Sequence, residues 1–210
     1  MLNASIKDIP MPPRMARRPI SDKGFPVPWF VAKVDGQWDF RVVDTPKLPQ
    51  AVKRGLCWLC GEPLGQYLCF VIGPMCAINR ASSEPPSHRD CAEYAVKACP
   101  FLSKPNMRRN KNFDFEPVGP AGVGVAHNPG VTLLWITKGY RPFRANGGVL
   151  FEIGDPLETY FYREGRTATR DEILAAIDKG LPILRQMAAE ENAMPELQAQ
   201  IDRAMTLIPA

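Results

Sequence analysis

Cys57-Trp58-Leu59-Cys60-Gly61 and Ser87-His88-Arg89-Asp90-Cys91 are the two stretches on which the fold turns. A two-residue spacing lets both thiolates of the first stretch face one ion, and the glycine behind them can take the positive φ that such a knuckle requires. In the second, Ser87 is a suitable N-cap with Asp90 three residues on. A helix beginning at His88 would therefore carry His88 and Cys91 at i and i+3 on one face. Each pair then offers two ligands, and Cys57, Cys60, His88 and Cys91 complete one tetrahedral zinc site.

Between Cys60 and His88 lie 27 residues. They read as a β-like run over residues 67–72, a turn at Gly73-Pro74 and a second run over residues 75–80. Knuckle, hairpin, then a helix with ligands in its first turn resembles the treble-clef zinc finger, in which metal-binding free energy is largely folding free energy. Three further thiols lie in or near this segment. Cys69, inside the strand run, reads as a buried thiol. Cys76 and Cys99 read either the same way or as alternative fourth ligands in place of His88. A site closed by four protein ligands is structural, with no position open to water. A zinc deaminase is excluded because its His-x-Glu motif is missing and the CxxC comes first. A nuclease on a treble clef needs further histidines for a hydrolytic metal, and apart from His88 the chain has only His127.

Outward from the cysteines, residues 1–28 read as an extended basic arm carrying Arg14, Arg17 and Arg18 and closed by Pro26-Val27-Pro28. Residues 29–34 and 38–43 flank Asp35-Gly36, the strongest short hairpin signal, with Trp38, Phe40 and Val42 expected on one side. Residues 29–102 thus form a hairpin plus zinc module. Residues 103–130 read as an irregular linker containing Arg108, Arg109 and Lys111. Residues 131–210 hold strands at 131–137, 149–153 and 159–163, followed by helices. Thr169 and Glu172 fit a capping box. The helix they start is expected to stop at Gly180, with two more over residues 181–191 and 195–207. The predicted class is α+β: N-terminal hairpin, treble-clef-like zinc finger, antiparallel strands and C-terminal helices.

Composition narrows the function classes. Proline supplies 22 of 210 residues, about twice the ordinary share, which excludes a helical bundle or coiled coil. The longest apolar runs fall far short of the roughly 20 residues of a membrane span. The N-terminus has no continuous apolar h-region, so no secretory signal is read and a cytoplasmic location is expected. In a reducing compartment clustered cysteines point to metal and not to disulfides. Residues 1–110 hold 16 Lys/Arg against 9 Asp/Glu, and residues 111–210 hold 10 against 13. That surplus permits nucleic-acid contact without the strong basic signature of a dedicated binder, and Arg14, Arg17, Arg18, Arg108, Arg109 and Lys111 are the candidate phosphate contacts.

The words CxxCG at 57–61, PPSHxxCA at 85–92 and CPFL at 99–102 resemble a group of uncharacterised proteins of bacteria and their phages. Similar words at 24–31 and 128–130 extend the resemblance over most of residues 24–175. It implies a structural zinc and brings no activity. The expected function is a zinc-binding interaction protein, its zinc ordering a surface for a macromolecular partner in a host or phage process. The alternatives are a nucleic-acid-binding zinc finger and, after it, a metal-dependent nuclease or thiol enzyme using His127 or a free cysteine.

Overall fold

The computed structural model describes residues 1–104, 130–145 and 148–210. Its organising element is a strand buried at every position, β5 (Thr132–Thr137). The apolar run Leu133–Ile136 between two buried threonines is what a strand covered on both faces requires. β5 lies between β3 (Leu68–Ile72) and β8 (Glu158–Arg163), both antiparallel to it, and β9 (Arg166–Thr167) extends the far edge. Side chains alternate across the sheet with period two. Leu133 and Trp135 enter the main core with Phe70, Ile72 and Phe161, whereas Leu134 and Ile136 join Cys69 on the opposite face. A second sheet, β4 (Ala81–Ser82), β7 (Gly148–Ile153) and β6 (Tyr140–Ala145), adds Phe151 and Ile153 to the main core.

The helices α3 (Pro74–Asn79), α6 (Arg170–Glu190) and α7 (Met194–Met205) close that core and pack on one another. Two expectations are corrected here. Residues 75–80 are not a strand: Pro74 sits in the first turn of α3, where its missing N–H costs nothing. No hairpin therefore forms between the ligand pairs, and β3 finds its partner in β5 instead. Nor does a helix end at Gly180, because α6 runs through both Gly180 and Pro182. A Cβ at Gly180 would stand 2.7 Å from the Met75 sulfur, so the glycine serves the close approach of α3 and α6. The capping box forms as expected: Thr169 Oγ1 accepts from the Glu172 N–H and the Glu172 carboxylate accepts from the Thr169 N–H.

On the other face of the main sheet lies α4 (Arg89–Ala98), with Ala92 and Val96 against Leu134 and Ile136. Its remaining buried face, Cys91, Tyr94 and Ala98, meets a separate cluster of Ile6, Met15, Cys57, Leu59 and Cys60. The supposed arm of residues 1–28 is thus folded onto this lobe, with Met15 of α1 (Pro13–Ala16) inside it, Phe25 packed against it, and Ile6 and Met15 only 2% exposed. Two helices complete the chain, α2 (Lys47–Arg54) before the first cysteine pair and α5 (Pro100–Ser103) after α4. The hairpin forms as β1 (Val31–Val34) and β2 (Gln37–Val43), with Asp35 and Gly36 both at positive φ. Its register shifts between Val31 and Ala32, and this breaks the expected alternation: Phe40 is exposed.

Candidate metal centre

Helix α2 ends at Gly55, whose left-handed φ of 59° turns the chain sharply into the first ligand pair. The knuckle is then built from backbone bonds. Cys57 donates its N–H to the Glu62 carbonyl at 2.8 Å, and Gly61 donates to the Cys57 carbonyl at 2.8 Å. Gly61 takes φ +82°, and a Cβ there would stand 2.5 Å from the Trp29 ring, so both backbone and packing require glycine.

The second pair is delivered by extension. Ser87 exchanges both backbone bonds with Cys69, at 2.8 and 2.9 Å, and Trp58 donates its N–H to the Pro86 carbonyl at 3.1 Å. These bonds hold Pro86 and Ser87 in line with β3. The helix therefore begins one residue later than expected, with His88 and not Ser87 at the N-cap. Cys91 then stands at the third helical position, and Asp90 in the first turn accepts from the Cys91 N–H at 2.9 Å.

The four donor atoms of Cys57, Cys60, His88 and Cys91 lie within 4.8 Å of one another. His88 Nδ1 is 3.4 Å from the Cys60 sulfur and 4.0 Å from that of Cys91. A tetrahedral zinc with ordinary bond lengths sets sulfur and nitrogen about 3.5 Å apart, so the residues fit the ion. The tautomer fits as well. His88 Nε2 is 3.0 Å from the Pro63 carbonyl, which can only accept, so the proton is on Nε2 and the lone pair of Nδ1 faces the sulfurs. The His88 N–H donates to the Cys57 sulfur at 3.3 Å, and the Cys60 N–H does so at 3.5 Å.

Three thiols this close cannot all ionise on their own. Burial opposes ionisation of Cys57, yet hydrogen bonds from Cys60, Cys91 and His88 outweigh it and draw its pKa far down. Cys60, bonded to that sulfur, is held up at about 11, and Cys91, beside both, is driven much higher. One anion forbids the next, and a divalent cation removes that conflict. The remaining cysteines stand apart from the cluster. Burial pushes the Cys69 thiol up to about 12 and raises those of Cys76 and Cys99 too. His88 rather than Cys76 or Cys99 is the fourth member among the described residues.

Of the candidate phosphate contacts, Arg14 pairs with Asp90 at 2.7 Å and Glu62 at 3.6 Å, and Arg17 also pairs with Glu62. Arg18 donates Nε–H to the Val27 carbonyl at 3.0 Å. Arg108, Arg109, Lys111 and His127 lie outside the described residues. The aromatic residues near the knuckle pack inward: Trp58 stacks on Phe30 at 5.0 Å and meets Trp29 edge-on at 6.3 Å. Sequence reasoning missed the Pro63 carbonyl that orients His88 and the Glu62–Arg14–Asp90 bridge. No local pattern announces either. Comparison with protein-family models, curated proteins and solved structures returns no match.

Proposed function

We propose that the chain is a structural-zinc protein in which the ion fastens residues 1–28, the knuckle and the start of α4 into one lobe that presents a surface to another macromolecule. The observation that carries this is the four-donor cluster, with Cys57 and Cys91 fully buried and His88 oriented by a carbonyl. Zinc held by four protein donors supplies charge neutralisation and a crosslink, with no position left for substrate. Pro63, Leu64 and exposed Tyr67 from the loop after the knuckle and Arg89 and Glu93 from α4 line a groove beside His88. The Pro63–His88 bond ties that groove to the ligand set, which favours it as the partner surface. The nucleic-acid alternative gains nothing from Arg14, Arg17 and Arg18, whose guanidinium groups are engaged within the protein. Kinship with the bacterial and phage group that the words at 57–61, 85–92 and 99–102 resemble would extend the same reading to a host or phage process.

Metal analysis of the purified protein should give one zinc per chain. Its cobalt form should show the absorption of a three-sulfur, one-nitrogen site. Protein without stoichiometric metal, and with a melting temperature indifferent to chelator, would refute the reading. For the surface, a partner held by the zinc-loaded chain should be lost with Tyr67→Asp while zinc content stays unchanged. Retention of that partner would overturn the surface assignment.

A further inference from the structure

A second cleft, of about 620 Å³, opens on the far side of the main core, between the β5–β6 turn and α7. Its size falls within the range of small-molecule sites. Four cations line it, Arg80, Lys138, Arg141 and Arg203, against two carboxylates, Glu152 and Asp155. Both carboxylates are already engaged: Arg141 pairs with Glu152, and Arg80 pairs with Asp155 at 2.8 Å. Among the described residues no carboxylate pairs with Lys138 or Arg203, so the lining carries two uncompensated positive charges.

Arg80 is held in place more firmly than a surface cation. It closes α3 at φ +54°, a left-handed position where glycine or asparagine is usual and a long side chain is strained. Its Nε–H donates to the Ile153 carbonyl at 3.2 Å and its guanidinium lies 5.8 Å from the centre of the Trp135 ring. The Trp135 Nε1–H in turn donates to the Gly154 carbonyl at 3.0 Å. Gly154 admits no Cβ, which would stand 2.5 Å from the Gly139 carbonyl oxygen, so the two glycine segments lie tightly together along the cleft. Leu157, half exposed, adds an apolar wall.

We infer that this cleft binds a small organic phosphate monoester, its dianion taken by Lys138 and Arg203 beside the fixed Arg80 and its organic part laid against Leu157. A dianion matches the uncompensated charge, and charge-assisted bonds to phosphate are the strong class for Lys and Arg. The site is separate from the metal centre and independent of what that centre does.

The test uses the zinc-loaded full chain, titrated with inorganic phosphate and with phenyl phosphate while the Gly139 and Gly154 amides are followed by NMR. Saturable shifts are expected, with phenyl phosphate the tighter probe by about threefold for its apolar ring. Lys138→Gln and Arg203→Gln should each weaken phenyl phosphate binding by about fivefold or more, the worth of one charge-assisted bond. Arg144→Gln, an exposed cation on β6 outside the cleft lining, should change it less than about twofold. No saturation of either probe by about 20 mM, weaker than any useful millimolar affinity, would overturn the assignment. So would equal affinity in the Lys138→Gln/Arg203→Gln double variant. A phosphoserine peptide binding more tightly than phenyl phosphate would overturn the small-molecule assignment in favour of a protein-borne phosphate.

Discussion

The two halves of this molecule are held by different physics. On one face of the main sheet, Leu133, Trp135, Phe151, Ile173 and their neighbours form an apolar core of side chains from β5, β7 and α6. On the far side of α4, the buried set is Ile6, Met15, Cys57, Leu59, Cys60, Cys91, Tyr94 and Ala98, three of the eight being cysteines of the four-donor cluster. The first cluster can stand on the removal of apolar surface from water. The second is smaller, and its thiols oppose one another's ionisation. Two polar atoms buried nearby, Trp58 Nε1 and Tyr94 Oη, have no hydrogen-bond partner among the described residues and weaken it further. Small lobes of this kind depend on a crosslink.

The largest expected effect separates the halves directly. Cys91→Ser should abolish stoichiometric zinc and forfeit metal-linked stabilisation on the order of 10 kcal/mol, the scale of structural zinc. Hydrogen exchange should then show residues 1–28 and 57–64 unprotected while β5 amides stay slow. Leu133→Ala should do the reverse. It should lose about 2–5 kcal/mol of global stability in denaturant melts while zinc stays bound up to the transition. If both variants lowered protection uniformly, the division into two differently held halves would be wrong.

A smaller effect lies within the apolar half. Pro182, exposed inside α6, has no N–H for the Asp178 carbonyl. Pro182→Ala should therefore stabilise the protein, by about 1–3 kcal/mol in urea melts. A loss of stability would mean that the proline ring fixes a bend the packing needs.

The smallest effect is a pH dependence at the start of the same helix. Hydrogen bonds from Arg166 and from the Thr169 N–H hold the Glu172 carboxyl at about 2, down from 4.5. A folded-state pKa below the unfolded one gives stability that is present above pH 4.5 and lost as pH falls toward 2. The melting temperature of Glu172→Gln should lie a little below that of the parent at pH 6, and the difference should vanish in strong acid. The variant-minus-parent difference isolates this group from metal release. A difference that does not change with pH would assign the effect to side-chain shape.

The same division explains how much could be read from the sequence. Each ligand pair, the Asp35-Gly36 hairpin and the Thr169–Glu172 capping box depend on residues within a few positions of one another, and the structure holds all of them, the two pairs meeting in one cluster. The failures were matters of tertiary context. Met75-Cys76-Ala77-Ile78 is apolar in either period, and only Pro74 at the first helical turn marked it as α3. Gly180 looked like a stop because the Met75 side chain that occupies its missing Cβ lies far away in the chain. β6 passed unread because Pro142 and its two arginines do not resemble a strand interior, and it is an edge strand, where proline is tolerated. Helix α2 is not among the expected elements, although Lys53-Arg54-Gly55 is a legible end. The folding of residues 1–28 onto the lobe had no local mark at all.

That last packing imposes an order of events on folding. Arg14 meets Asp90 across 76 positions of chain, and β3 must wait for β5, about 60 residues further on. Residues 1–28, which find their partners this far along the chain, are therefore among the last to settle. Until α4 has emerged and the Cys57/Cys60 and His88/Cys91 pairs have come together, Ile6, Met15 and Phe25 lack the cluster that covers them. A nascent or metal-starved chain would expose a hydrophobic N-terminal tether, the kind of surface that chaperones and proteases recognise.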